Sequence, residues 1–241
     1  MVARTRADKV IVARGLAETR ARAQAAIDAG GVTADGVAVS RASQLIDEAA
    51  AIVFAPPHPW VSRAGVKLAF ALETFAVSPA GLHCLDIGAS TGGFTQVLLA
   101  RGARHVTAVD VGQAQMHATL RDDPRVMLRE ACDARALTAE MIGEAPGLIV
   151  CDASFIGLEK ILPTPLALAA PGATLIALVK PQYESGPRRG ALLSAATAFQ
   201  IAEAVAHRLD GVQGFTVRGL IDSPIAGGDG APEFLLHAVR S

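Results

Sequence analysis

Apolar and polar positions along this chain follow two rhythms that change near residue 54. Before that point the apolar runs are short. Thr5 with Asp8 has the spacing of a helix-capping box, and the helix it would open ends at Gly15. Thr19 caps a second predicted helix, "RARAQAAIDAG", which stops at Gly30. Val32, Val37 and Val39 then alternate around Asp35-Gly36, the turn dipeptide of a two-residue hairpin. "FAPPHPW" is too proline-rich for a helix and marks a stiff linker, giving predicted segments 1–54, 55–61 and 62–241. Beyond it the runs lengthen. "LHCLDIG", "HVTAVDVG", "PGLIVCD" and "TLIALVK" read as buried strands, separated by helical stretches such as "GGFTQVLLARG". "SAATAFQIAEAVAHRL" is an amphipathic helix, and "FTVRGLIDSPIAGGDGAPEFLLHAVR" is a strand pair around a glycine-rich loop. The alternation predicts an α/β body, a mostly parallel sheet with helices on both faces and one antiparallel strand at the end.

In such a sheet, ligands bind beyond the carboxyl ends of the strands. Four predicted strands end there in charge, at Asp86, Asp110, Asp152 and Lys180. Glu233 begins the antiparallel strand and so falls on the same rim, while Lys67 lies early in the helix "VSRAGVKLAFAL" that precedes the first strand. Any one of these could be a solvated tip or a turn residue. All of them on one rim make a site.

The loop "DIGASTGGFT" joins the first of these strands to its helix through Gly88, Gly92 and Gly93, with Ser90, Thr91 and Phe94 between and beyond them. A dinucleotide fold wants G-x-G-x-x-G with a pyrophosphate on the helix N-terminus. Here the spacing is G-x-x-x-G-G after an acid, which disfavours a phosphate and suits a cationic or amino-bearing ligand. Asp110, followed by Val111, ends the next strand where an acid can accept both ribose hydroxyls. Asp133 in "EACDARAL" is a further acidic candidate, or a loop cap.

Composition narrows the choices. Apolar residues are 51%, charged residues 19% and the net charge is −1, which excludes a disordered polyelectrolyte and leaves any case for nucleic acid to local charge. Such a cluster exists up to Arg22: Arg4, Arg6, Lys9, Arg14, Arg20 and Arg22 face only Asp8 and Glu18. Arg63 adds a cation beyond the linker. The three cysteines form no CxxC pair and the six histidines lack metal-ligand spacing, so reduced thiols and no metal site are expected. No signal peptide fits the basic start, and no apolar run approaches the ~20 residues of a bilayer span, so a cytoplasmic location is expected. Aromatic residues are 4%, which limits base stacking; Phe155 and Tyr183 follow two strand tips and are candidates to hold a flipped nucleotide, with core packing the alternative for Phe155.

The motifs together carry a resemblance. "RADKVIVARGLAETRARAQAAIDAGGVTADGVAV" resembles the small α+β S4 RNA-binding domain, and "DIGASTGGFT" resembles motif I of the class I (Rossmann-like) S-adenosylmethionine-dependent methyltransferases, whose sheet has seven strands. Lys67, Asp152, Lys180 and Glu233 resemble the Lys-Asp-Lys-Glu tetrad of the FtsJ-like ribose 2′-O-methyltransferases. With "WVSRAGVKL", "CDASFIGL", "LVKPQYE" and "GAPEFLL", the chain from residue 4 onward is similar to the TlyA family of ribosomal RNA 2′-O-methyltransferases, some of them named hemolysins. The resemblance implies S-adenosylmethionine as cofactor, held by Asp86 at its methionine end, by the backbone at Gly88 and Gly92, by Asp110 at the ribose, by Asp133 at the adenine and by Asp152. It implies ribosomal RNA as partner, met by Arg4, Arg6, Arg14, Arg20, Arg22 and Arg63, with a cytidine of the large subunit the favoured target and the small subunit the alternative. Ala64 before Gly65, and "GAP" before Glu233, depart from the usual pattern.

A ribose hydroxyl is a poor nucleophile and must lose its proton as it attacks. On this resemblance Lys180 is the base, Asp152 and Lys67 tune and align it, and Glu233 positions the hydroxyl or Lys67. An ordinary lysine holds its proton to about pH 10.4; burial and a neighbouring ammonium favour release, and a carboxylate opposes it. A lysine that stays charged would instead stabilise the developing alkoxide. Three rivals remain at this level: a non-catalytic RNA-binding or ribosome-assembly factor, a membrane-active hemolysin, and a nicotinamide-dependent dehydrogenase, the last weakened by its glycine spacing.

Overall fold

A computed structural model describes residues 4–184, 193–227 and 230–241. The chain divides into two compact units, Met1–Pro59 and Trp60–Ser241.

In the first unit, strand β1 (Arg4–Arg6) leads into helix α1 (Ala7–Ala13), followed by α2 (Arg20–Asp28), β2 (Val32–Ala34), β3 (Val37–Ala38), β4 (Leu45–Asp47) and β5 (Ile52–Phe54). Ala7, Val10 and Ile11 share one face of α1, and Ala23, Ala26 and Ile27 share one face of α2. These i, i+3, i+4 stripes close on Val32 and Ile46 to form the unit's core. The hairpin β2–β3 turns through Asp35 (φ 51°) and Gly36 (φ 77°), both left-handed as the tight hairpin turn requires, and β5 extends the sheet on the other side of β2. Thr19 caps α2 by accepting from the Arg22 amide. The capping box expected at Thr5 does not form. Thr5 lies in β1, opposite Ile46 of β4, and its hydroxyl donates to Glu48 at 2.6 Å; strand pairing removes it from the helix start, where Arg6 stands with no side-chain cap.

The second unit is built on a seven-stranded sheet. Helix α3 (Ala64–Thr74) precedes β6 (His83–Ile87), α4 (Gly93–Ala100), β7 (His105–Val109), β8 (Val126–Arg129), β9 (Leu148–Cys151) and β10 (Thr174–Val179). After the helix Ala195–Leu209 come β11 (Phe215–Asp222) and β12 (Phe234–Arg240). The spatial order is β11-β12-β10-β9-β6-β7-β8, with β12 antiparallel to both of its neighbours and the other adjacent pairs parallel. Strands β6, β9 and β10 are buried along nearly their whole length, because apolar layers cover both faces. From β6 the chain moves to β7 and β8 on one side and returns to β9 on the other. The strand order therefore reverses between β6 and β9, the place where open α/β sheets leave a crevice.

Candidate active site

The crevice is held open by backbone geometry. Gly88, directly after β6, has φ 79°, and a Cβ there would sit 3.0 Å from the backbone of Ala153. The Asp152 amide donates to the Ile87 carbonyl, so the ends of β6 and β9 run side by side into the site. Asp110 follows β7 and fixes the loop opposite: its carboxylate accepts from the Ser90 amide at 2.8 Å and from the Gly112 amide at 2.7 Å.

Two clefts open on this rim. The first, about 450 Å³, is lined by Gly88, Ser90, Asp110, Val111, Asp133 and Asp152, with Ile87, Val109, Ala134, Ile156 and Ile161 supplying apolar wall. The second, about 380 Å³, is lined by Ser62, Arg63, Ala64, Lys67, Thr91 and Phe94. Gly88, Ser90 and Asp152 line both, so the clefts meet at Asp152.

The four candidate catalytic residues form two ion pairs. The Lys180 ammonium lies 2.7 Å from Asp152 Oδ1 and also donates to Ser154 Oγ at 2.8 Å and to the Asp152 carbonyl at 3.2 Å. Lys67 Nζ donates to Glu233 Oε2. Lys67, Lys180 and Glu233 are each at least nine-tenths buried. Register explains the juxtaposition: Val179 faces Phe234 across the antiparallel pair, so the next step sets Lys180 and Glu233 on adjoining strand ends. Gly227 packs tightly on the site, since a Cβ there would overlap the Glu233 carboxylate.

Other candidates divide. Asp86 lines neither cleft and is fully buried inside β6; Thr95 Oγ1 donates to its Oδ2 at 2.6 Å, and its Oδ1 has no hydrogen-bond partner among the described residues. Burial pushes its carboxyl up to about 7, and nearby Asp152 and Asp110 push the same way. Gly92 and Gly93 also serve packing: a Cβ on Gly92 (φ 93°) would overlap Leu120 and Met116, and one on Gly93 would overlap Ser62, two residues before α3. Ala64 needs no glycine-like freedom because it is the first residue of α3. Asp133 lines the first cleft and also caps a short helical turn, accepting from the Arg135 amide at 2.9 Å and pairing with the Arg135 guanidinium. That partner holds its carboxyl below the usual range.

Phe155, for which core packing was the alternative, is 87% exposed. It has φ 67°, rare for a bulky residue, and its ring lies 5.0 Å from that of Tyr183. Sequence reasoning missed Ser154, two positions beyond Asp152, and Gln115, which accepts from the Ser90 hydroxyl. Ser154 was within reach, being part of a quoted motif; Gln115 sits in a loop with no distinguishing pattern.

The candidate RNA-binding arginines are held in different ways. Arg4 lies in β1, opposite Asp47. Arg6 and Arg20 both bond Asp8. Arg14 donates to the carbonyls of Ala50 and Glu48. Arg22 is half-buried in the first turn of α2. In the second unit, Arg63 lines the second cleft and donates to the carbonyls of Ala226 and Gly227 at 3.4 and 3.3 Å, ahead of Glu233.

The FtsJ-like methyltransferase family matches residues 60–240, and the S4 domain matches residues 5–52. The 16S/23S rRNA (cytidine-2'-O)-methyltransferase TlyA of Mycobacterium tuberculosis is 43% identical over 242 residues, covering 98% of this chain and 90% of that one. Hemolysin A of Brachyspira hyodysenteriae is 36% identical, covering 97% and 99%. A solved structure of a hemolysin-named protein from Streptococcus thermophilus superposes with a TM-score of 0.76 at 35% identity, covering 100% of this chain and 90% of that one. An S4 module followed by an FtsJ-like body, with this identity along nearly the whole chain, makes the protein a member of the TlyA family.

Proposed function

We propose that this protein methylates the ribose 2′-hydroxyl of a cytidine in ribosomal RNA, by a Lys-Asp-Lys-Glu mechanism and with the large subunit as the favoured substrate. The cofactor is S-adenosylmethionine, the donor of the FtsJ-like methyltransferases. The residues on the rim suit it. Asp110 keeps acceptor capacity toward two ribose hydroxyls, and Asp133 lines the same cleft. When bound, the donor supplies an electrophilic methyl on a sulfonium; the rest of the chemistry falls to the chain.

One observation carries the reading: a cleft suited to a nucleoside donor meets a second cleft at Asp152, and each of two ion pairs puts one member on these clefts, Asp152 at the junction and Lys67 in the second. Buried ion pairs are seldom kept for stability, because apolar replacements often stabilise a fold as well or better. In the proposed roles, Lys180 first gives up its own proton, and its neutral amine then takes the hydroxyl proton as the ribose oxygen attacks. Asp152 and Ser154 fix the direction of its amine, and Glu233 holds Lys67 at the acceptor side. The exposed, strained Phe155 with Tyr183 offers a platform for the base of an extruded nucleotide. The S4 module supplies phosphate contacts, which set register and affinity rather than sequence choice.

Purified ribosomal subunits incubated with a methyl-labelled donor test this directly. Label recovered as 2′-O-methylcytidine from the large subunit is the expected result. Absence of label, or label on a base, refutes the assignment. The hemolysin names among the relatives suggest a second activity, for which leakage from liposomes is the check. Among the described residues no helix is long and apolar enough to cross a membrane.

A further inference from the structure

Asp8 is only 3% exposed, yet five hydrogen bonds converge on its carboxylate. The Lys9 amide donates to Oδ1 at 3.0 Å. Arg6 donates through Nε to Oδ1 at 3.0 Å and through Nη2 to Oδ2 at 3.1 Å. Arg20 donates to Oδ2 through Nε at 2.9 Å and through Nη2 at 2.7 Å. One buried anion thus draws together guanidinium groups from β1 and from the first turn of α2.

Two cations do not settle side by side unaided, since repulsion and side-chain entropy both oppose it. The carboxylate removes the repulsion and fixes both planes. A guanidinium carries five N–H donors and each here gives two to Asp8, so each retains three. The Arg6 and Arg20 side chains are 40% and 57% exposed, so part of each cation remains open to solvent. The cluster is net positive, and Asp8 stays ionised under any physiological condition: the Arg6 hydrogen bond, aided by Arg20, outweighs burial and holds its carboxyl well below the usual range.

We infer that Asp8 is a positioning residue, which holds Arg6 and Arg20 as a paired fork for a phosphodiester of the RNA substrate. A phosphate offers two anionic oxygens, and planar guanidinium forks match that geometry where a loose point charge does not. This inference rests on the reading that the S4 module binds ribosomal RNA. A plain structural tie between β1 and α2 is the competing account, and it predicts effects on folding alone.

The experiment measures binding of the full-length chain to ribosomal subunits across a salt series, for the wild type, Arg6→Ala, Arg20→Ala, Arg20→Lys, Asp8→Asn and the Asp8→Asn/Arg20→Ala double variant. Asp8→Asn removes a negative charge, so net charge alone predicts tighter binding. Positioning predicts the opposite sign: affinity lower by about tenfold, with a salt slope shallower by about one to two phosphate contacts. Arg20→Ala then costs less in the Asp8→Asn background than alone, because the fork is already lost. Arg20→Lys guards against misfolding of the Asp8 variant: it preserves charge and the Arg6–Asp8 pair but loses the second fork, and weaker binding is expected. Wild-type or tighter binding by Asp8→Asn or by Arg20→Lys, with Arg6→Ala and Arg20→Ala each weakened, overturns the role of Asp8 while leaving RNA binding by the module intact. Unchanged binding by both alanine variants overturns that underlying reading and the inference with it.

Discussion

Replacing Asp86 by asparagine should change how the stability of the ligand-free protein depends on pH. Its carboxyl titrates near 3.8 when exposed and is raised to about 7 by burial in β6. The folded state therefore holds the proton over a range in which the unfolded chain has released it, and stability falls as pH rises from about 4 to about 7. Across that range the loss accrues at about 1.36 kcal/mol per pH unit, an upper bound of about 4 kcal/mol above neutrality. Asparagine removes this dependence. It has its own cost, because its amide would stand where Oδ1 now has no partner, an unmet buried donor worth about 1–3 kcal/mol. The variant should thus be less stable than wild type near about pH 4 and more stable by about 1–3 kcal/mol near about pH 8. Thermal unfolding across that range reads the crossing as several degrees, at about 2–4 °C per kcal/mol for a domain of this size. Parallel stability profiles for the two proteins would refute the reasoning.

Three further outcomes follow from the site. Lys180→Ala should abolish methyl transfer while calorimetry finds donor binding nearly intact; full activity would remove Lys180 from the base role. Gly88→Ala should lose about 1–2 kcal/mol of stability from its left-handed backbone, with donor affinity lowered further because the new Cβ presses on the Ala153 backbone at 3.0 Å; chemical unfolding and calorimetry measure the two effects. Phe155→Ala should raise KM for RNA with little change in Tm, because an 87% exposed ring contributes little to the core; an unchanged KM would exclude a platform role.

The sequence revealed the rim well for a physical reason. Long apolar strands that stop abruptly before Asp110, Asp152 and Lys180 leave little choice of register, and the antiparallel β12 brings Glu233 to the same edge, whereas Asp86, expected at a strand end, lies one residue inside β6. Lys67 was legible because it sits one turn into the helix that packs beside α4, where Gly93 permits close approach. Side-chain partnership was not legible. Nothing in the spacing says that Arg6 and Arg20 share Asp8, that Ser154 takes a Lys180 hydrogen bond, or that Gly92 yields space to Leu120 and Met116. These contacts join segments whose approach is set by the tertiary fold. Thr5 failed for a related reason: its residue type suits a helix cap, but pairing with β4 reached it first. Phe155 was undecidable because an aromatic residue after a strand fits either a core or a surface, and only its backbone angle and exposure choose.

The central claim is that the paired lysines and carboxylates act together on a ribose hydroxyl of ribosomal RNA. Its most direct test is a map of ribose methylation across the ribosomal RNA of cells that lack this protein, carry the wild type, or carry Lys180→Ala. A 2′-O-methylcytidine in the large subunit, present with the wild type and missing from the other two, is the predicted result. Identical maps in all three cells would contradict the account.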